Sequence, residues 1–183
     1  TLKTISALLQ INGFEIIHHE SVLFSGKALL VFARKALSPI DINFSNHSTR
    51  DHNLAHRYIN GYQIFRSRLS SYLDEAAKNH SSILIYGAGA RSSNFVNLHG
   101  IADYIEYFVD AQTEKQNLYV PGCTKRIQPF SSSDKEALFL LGCNCEVENK
   151  IIKKRNLKSY ASILPPSAKL PKFWNQLICD QVT

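Results

Sequence analysis

Residues 81–97 read SSILIYGAGARSSNFVN, and the reading of this stretch decides the fold. The apolar run ILIY (83–86) enters Gly87-Ala88-Gly89-Ala90, followed by Arg91, Ser92, Ser93 and Asn94. A short apolar run ended by glycines predicts a strand, a tight turn and a helix over 91–99 that stops at Gly100. Gly87 and Gly89 let the backbone turn sharply and approach a ligand with no Cβ in the way. The first N–H groups of the helix lack intrahelical partners and attract anions. Ser92, Ser93 and Asn94 add short donors, and Arg91 adds a planar fork suited to phosphate oxygens. The same two-glycine turn also occurs as a plain strand–helix connection that binds nothing.

Further along, IEYFVD (105–110) predicts a second strand ending at Asp110, followed by a loop containing YVPG (119–122). An acid about 20 residues beyond the glycines accepts ribose hydroxyls in many dinucleotide sites, although Asp at a strand end also serves as a turn or helix cap. A short strand at 126–128, a short helix near 131–135, a buried strand ALFLL (137–141), a helix EVENKIIKKRN (146–156) and a strand SYASIL (159–164) complete the pattern. Strands alternating with helices imply an α/β fold, a Rossmann-like parallel sheet with flanking helices.

Upstream, LKTISALLQIN (2–12) has helical apolar spacing with Asn12-Gly13 as a stop. FEIIHHESVLF (14–24) and KALLVFARK (27–35) read as strands joined at Ser25-Gly26. A helix and two strands cannot bury their faces alone, so residues 1–35 look like the end of a larger domain. The polar stretch 36–50, with Pro39, reads as a linker, and 51–183 as the second domain. That domain opens with a helix reaching Asn79, expected to break near Gly61.

Composition is that of a globular protein, 44% hydrophobic and 20% charged. No apolar run reaches the roughly 20 residues that span a bilayer, so no membrane association is expected. The net charge of +6 is spread along the chain. Its one dense basic run, KIIKKRNLK (150–158), reads as a solvated helix face and not as a nucleic-acid stripe. Cys123, Cys143, Cys145 and Cys179 show neither disulfide-framework nor zinc-finger spacing, which points to a reduced, cytoplasmic setting and no metal. His18-His19 point to opposite faces of a strand, and His52 and His56 share one helix face without a third ligand. There is no Walker loop, no nucleophile elbow and no set-apart acidic pair, so no catalytic residue is assigned. The chain starts at Thr1 and contains no Met, which reads as an internal stretch of a longer protein.

Four segments taken together, YGAGARSSNFVNLHGI (86–101), IEYFVDAQTEKQNLYVPG (105–122), LLGCNCEVENKII (140–152) and SILPPSAKLPKFW (162–174), resemble the C-terminal domain of the SAM-dependent nucleotide-sugar C-methyltransferases. Residues 1–35 resemble the last helix and closing hairpin of that family's methyltransferase domain, with Phe24-Ser25-Gly26-Lys27 departing from the usual His-Gly-Gly-Ser-like turn. The resemblance implies a substrate-holding module for a TDP-linked deoxy-keto-sugar, partnered by the upstream methyltransferase domain. SAM and zinc would belong to the full-length parent, with no cofactor bound by this segment. It maps the family's glycine turn onto Gly87, Gly89, Arg91, Ser92, Ser93 and Asn94. Its second segment maps onto Asp110, Lys115, Gln116, Tyr119, Pro121 and Gly122. Arg91, Ser92 and the helix end would meet the diphosphate, with Lys115 and Tyr119 placing the nucleotide. Two other readings stand beside this one: a stand-alone module binding NAD or another nucleotide, and a structural domain whose helices form a homodimer.

Overall fold

The computed structural model describes residues 1–23, 27–38 and 48–174 of the 183-residue chain. The turn expected at Ser25-Gly26, most of the expected linker, and Cys179 lie outside the described residues. Contacts group the chain into two units, Thr1–Asn60 and Gly61–Thr183.

In the first unit, helix α1 (Leu2–Ile11) starts at Thr1, whose side chain accepts from the Thr4 amide. It ends at Asn12 and turns through Gly13 at φ +74°. Strands β1 (Phe14–Leu23) and β2 (Lys27–Lys35) pair antiparallel from Phe14↔Lys35 to Leu23↔Lys27, with an irregularity between Ile16 and His18. No residue of α1 is buried, and Leu8, Ile11, Ile17, Leu23 and Phe32 are exposed. His18 lies against the Phe32 ring, and His19 is exposed. Apolar side chains appear on both faces of this hairpin. That pattern suits strands covered on two sides.

Helix α2 (Ser48–Asn79) runs 32 residues without the expected break at Gly61. One interior glycine costs about 1 kcal/mol relative to alanine. The helix recovers that through tertiary contacts just beyond it: the Tyr62 hydroxyl donates to the Leu98 carbonyl, and Phe65, Leu69, Leu73 and Ala76 enter the core.

The second unit is built on a five-stranded parallel sheet. Its strands are β3 (Ile83–Tyr86), β4 (Phe108–Val109), β5 (Ile127–Gln128), β6 (Leu138–Leu141) and β7 (Ser159–Ser162). They lie in the order β5-β4-β3-β6-β7. The chain therefore winds outward from β3 in one direction through β5, then returns to start β6 on the other side of β3. This is the doubly wound order, with its switch point between β3 and β6. β3 and β6 are buried at every position, as strands covered on both faces must be.

Alternate strand residues feed two cores. Ile83, Ile85, Phe108, Leu138 and Leu140 pack under α2 and α3 (Ala90–His99). Leu84, Tyr86, Val109, Phe139 and Leu141 pack with Ile151 and Ile152 of α4 (Cys145–Arg155). The expected strand at 105–110 is shortened to Phe108–Val109 because a 3-10 turn at Ala102–Tyr104 occupies the chain just before it. Ladder bonds nevertheless extend outward, from the Glu106 amide to the Ile83 carbonyl and from the Ile85 amide to the Tyr107 carbonyl. The connections after β4 and after β5 carry only 3-10 turns, Thr113–Lys115 and Ser132–Glu136, the latter closed by a capping box between Ser131 and Asp134. Phe173 and Trp174 fold back onto Phe65, and Trp174 stacks on Phe95 at 6.2 Å.

Candidate functional site

The carboxyl ends of β3, β4 and β6 meet at the switch point, where doubly wound sheets hold ligands. Gly87 leaves β3 at φ +104°, and a Cβ there would sit 3.4 Å from the Gly142 backbone, so both conformation and packing call for glycine. Its amide still donates to the Val109 carbonyl at 2.7 Å, which anchors the turn to the sheet. Gly89 is the N-cap of α3, extended at φ −101°, with open space where a Cβ would stand. No side chain caps this helix and no acid occupies its first turn. The α4 N-terminus across the switch point differs: its first turn carries Glu146 and Glu148. Of the two helix ends facing the switch point, α3 is the one whose positive pole its own first turn leaves unanswered by carboxylates.

The first serine after the turn faces inward. Ser92 is fully buried and its hydroxyl donates to the Gly142 carbonyl at 3.0 Å. It stands where a dinucleotide fingerprint carries its third glycine. The small residue needed for close helix–strand packing is supplied from the opposite loop, as Gly142, whose missing Cβ would collide with the Ser92 side chain. The Ser93 hydroxyl donates to the Gly89 carbonyl at 2.9 Å within its own helix. Asn94 is exposed. Arg91 is half-buried and its guanidinium donates to Asn144 Oδ1 in the loop after β6.

Asp110 is buried at the end of β4. Its Oδ2 accepts from the Ala88 amide at 2.8 Å and its Oδ1 from the Gln112 amide at 2.9 Å. Lys115 Nζ lies 3.6 Å from Oδ2. The carboxylate thus supports the glycine turn from below, and Lys115 brings a positive charge to the same edge. Gln116 donates to the Asp110 carbonyl at 3.0 Å.

Tyr119 is placed otherwise. It is exposed, bridges to Arg126 across a small antiparallel loop, and its hydroxyl accepts from Arg126 Nε at 3.0 Å. The neighbouring Pro121-Gly122 turn is pinned to α3: Asn97 Nδ2 donates to the Pro121 carbonyl at 2.8 Å, and Gly122, at φ +84°, leaves room for the Asn97 side chain. Gly87, Gly89, Arg91, Ser92, Asp110 and Lys115 are therefore gathered around the β3 and β4 ends, whereas the Tyr119 hydroxyl belongs to a separate pair with Arg126.

Sequence reasoning passed over Gly142, Asn144 and Asn97. The signal available was GCN (142–144) immediately after a buried strand, which it read only for its cysteines. Burial pushes the Cys143 thiol up to about 11, with the Glu148 carboxylate adding to the shift, so Cys143 is a thiol and a poor nucleophile at neutral pH. Glu148 is itself buried, accepting from Ser167 Oγ at 2.6 Å with Lys169 Nζ at 3.6 Å, and it ties the segment after β7 to α4. On α2, His52 and His56 are exposed with their Nε2 atoms 2.9 Å apart. Among the described residues no group of three or more His, Cys, Asp or Glu is placed to hold a metal, and no helix is long and apolar enough to cross a membrane.

Sheet order, glycine turn and uncapped helix end define a Rossmann-type domain with its switch point between β3 and β6. The model of the C-methyltransferase C-terminal domain matches residues 46–155, more than half of the chain, and the chain belongs to that family. No curated protein matches it.

Proposed function

We propose that the second unit holds a nucleotide sugar, a TDP-linked deoxy-keto-sugar, while an upstream SAM-dependent methyltransferase domain transfers the methyl group. The observation that carries this reading is the α3 N-terminus, uncapped and free of first-turn acids, with Arg91 beside it at the switch point. A diphosphate matches that end in charge and in hydrogen-bonding demand. Membership in a C-methyltransferase family supplies the reaction class. The unit contributes by positioning, turning binding energy from the nucleotide into alignment of the sugar.

A SAM or NAD site would call for an acid at the β4 end open to ribose hydroxyls. The acid that would take ribose hydroxyls, Asp110, directs its two oxygens to the Ala88 and Gln112 amides, with Lys115 alongside. SAM chemistry is assigned to the upstream domain, whose closing helix and hairpin residues 1–35 would form. The exposed apolar side chains on both hairpin faces support that assignment. A reduced, cytoplasmic location belongs to the same reading.

Calorimetry with TDP and a TDP-sugar tests the proposal. Wild type should bind both, and Arg91→Ala should bind each at least tenfold more weakly. Equal affinity in the two proteins would remove the turn from the mechanism.

A further inference from the structure

His52 and His56 are four residues apart, and α2 runs unbroken through both. Residues at that spacing are neighbours on one helix face, so the fold of a single helix brings the two imidazoles together. Both are exposed, and their Nε2 atoms lie 2.9 Å apart. The ring centres are farther apart, at 4.4 Å, with the planes at 75°. The rings therefore converge, nitrogen ends foremost.

Both distances suit a shared metal ion. Imidazole nitrogens bind divalent first-row ions at about 2.0–2.1 Å. On two right-angled positions of one square-planar or octahedral ion, the nitrogens would stand about 2.9 Å apart and the ring centres about 4.5 Å. Tetrahedral positions, the geometry of structural zinc, would set them about 3.4 Å and about 5.2 Å apart. The pair matches the right-angled set in both dimensions. As neutral rings, one Nε2–H donates to the other Nε2. On metal binding the donor ring passes that proton through solvent to its own Nδ1, and both Nε2 lone pairs turn to the ion. Exposure means that an arriving hydrated ion needs no opening of the fold.

We propose that His52 and His56 form a two-point surface site for a divalent ion of right-angled geometry, Ni(II) foremost, which staples one turn of α2. Cu(II) shares the geometry, but thiols reduce it, and the chain carries free cysteines at 123, 143 and 145. Among the described residues no third His, Cys, Asp or Glu completes a cluster, so water fills the ion's other positions and the site is open and exchangeable. The proposal does not depend on the nucleotide-sugar reading.

The test titrates Ni(II) by calorimetry into the whole chain, without a purification tag and in a non-coordinating buffer. Wild type should bind Ni(II), and His52→Ala and His56→Ala should each weaken binding at least tenfold, because the second nitrogen of a chelate acts at high local concentration. His56→Arg combined with Arg57→His keeps composition and charge but moves the second ring off the shared face, and should show the same loss. Without metal, all variants should melt with wild type, since both rings are exposed. With Ni(II), the backbone amides between the two histidines should exchange several-fold more slowly in wild type alone. The site is wrong if wild type does not bind Ni(II), if only one of the two alanine substitutions matters, if the transposed variant binds as wild type does, or if exchange in that turn does not respond.

Discussion

The Ser92 hydroxyl donates to the Gly142 carbonyl oxygen at 3.0 Å, joining the turn after β3 to the loop after β6 at the point where the winding of the sheet reverses. The pair is complementary in size as well as polarity. A Cβ on residue 142 would occupy the position of the Ser92 side chain.

Gly142→Ala should therefore destabilise the second unit by about 1–3 kcal/mol, the usual cost of overpacking. Adding Ser92→Gly makes room for the new methyl group and should recover most of the loss. Thermal melts of both variants check this, and a double variant no better than the single would show that the clash is not the cause.

Gly89 separates stability from binding. Its backbone is already extended, as an N-cap requires, and a side chain there meets open space. Gly89→Ser should keep or raise the melting temperature, since serine is at least as good an N-cap as glycine. Its hydroxyl would then engage the α3 amides that the proposed diphosphate needs, so TDP affinity should fall about tenfold. Gly87→Ala, by contrast, forces alanine to φ +104° and should cost about 1–3 kcal/mol of stability.

Asp110→Ala leaves the Ala88 and Gln112 amides without their acceptor. Amide hydrogen exchange at these two residues should speed up well beyond that of the β6 core. Stability should fall by about 1–3 kcal/mol, the usual worth of hydrogen bonds to a charged acceptor. Unchanged exchange would mean the carboxylate does not hold the turn.

His99 makes the unit sensitive to acid. It is buried among Tyr62, Phe65 and Phe95, and burial, with the nearby Arg66 charge, lowers its pKa from 6.5. Below pH 6.5 the unfolded chain binds a proton that the folded one resists, so this contribution is complete above 6.5 and is lost as pH falls through the lowered folded value. His99→Phe should flatten the dependence of melting temperature on pH between 7 and 5. A slope equal to that of wild type would assign the acid sensitivity elsewhere.

Much of the architecture was legible from local pattern. ILIY and ALFLL are continuous apolar runs, which only a doubly covered strand can bury, and the glycines after ILIY mark the turn. The expected break at Gly61 failed because propensity is a weak local preference and the contacts of Tyr62 and Phe65 outweigh it. The strand expected at 105–110 shrank because the preceding 3-10 turn, set by packing, has no strong sequence signature. Within the site, the glycines and Asp110 announced themselves by spacing. Asn144 did not, since an asparagine before a helix looks like any cap.

Taken alone, the order and spacing of residues determined the α/β class and the position of the glycine turn, because periodicity and turn chemistry are written over a few neighbouring positions; the family came from the resemblance of four longer segments. Which groups meet across the switch point was decided only by tertiary structure. Ser92 with Gly142 and Arg91 with Asn144 are 50 and 53 residues apart in the chain, and they become neighbours because β6 pairs with β3. Long-range pairing turned Ser92, which looked like a ligand donor, into a buried loop contact and joined Arg91 to Asn144, whereas the Ser93 hydroxyl is taken up by the backbone of its own helix.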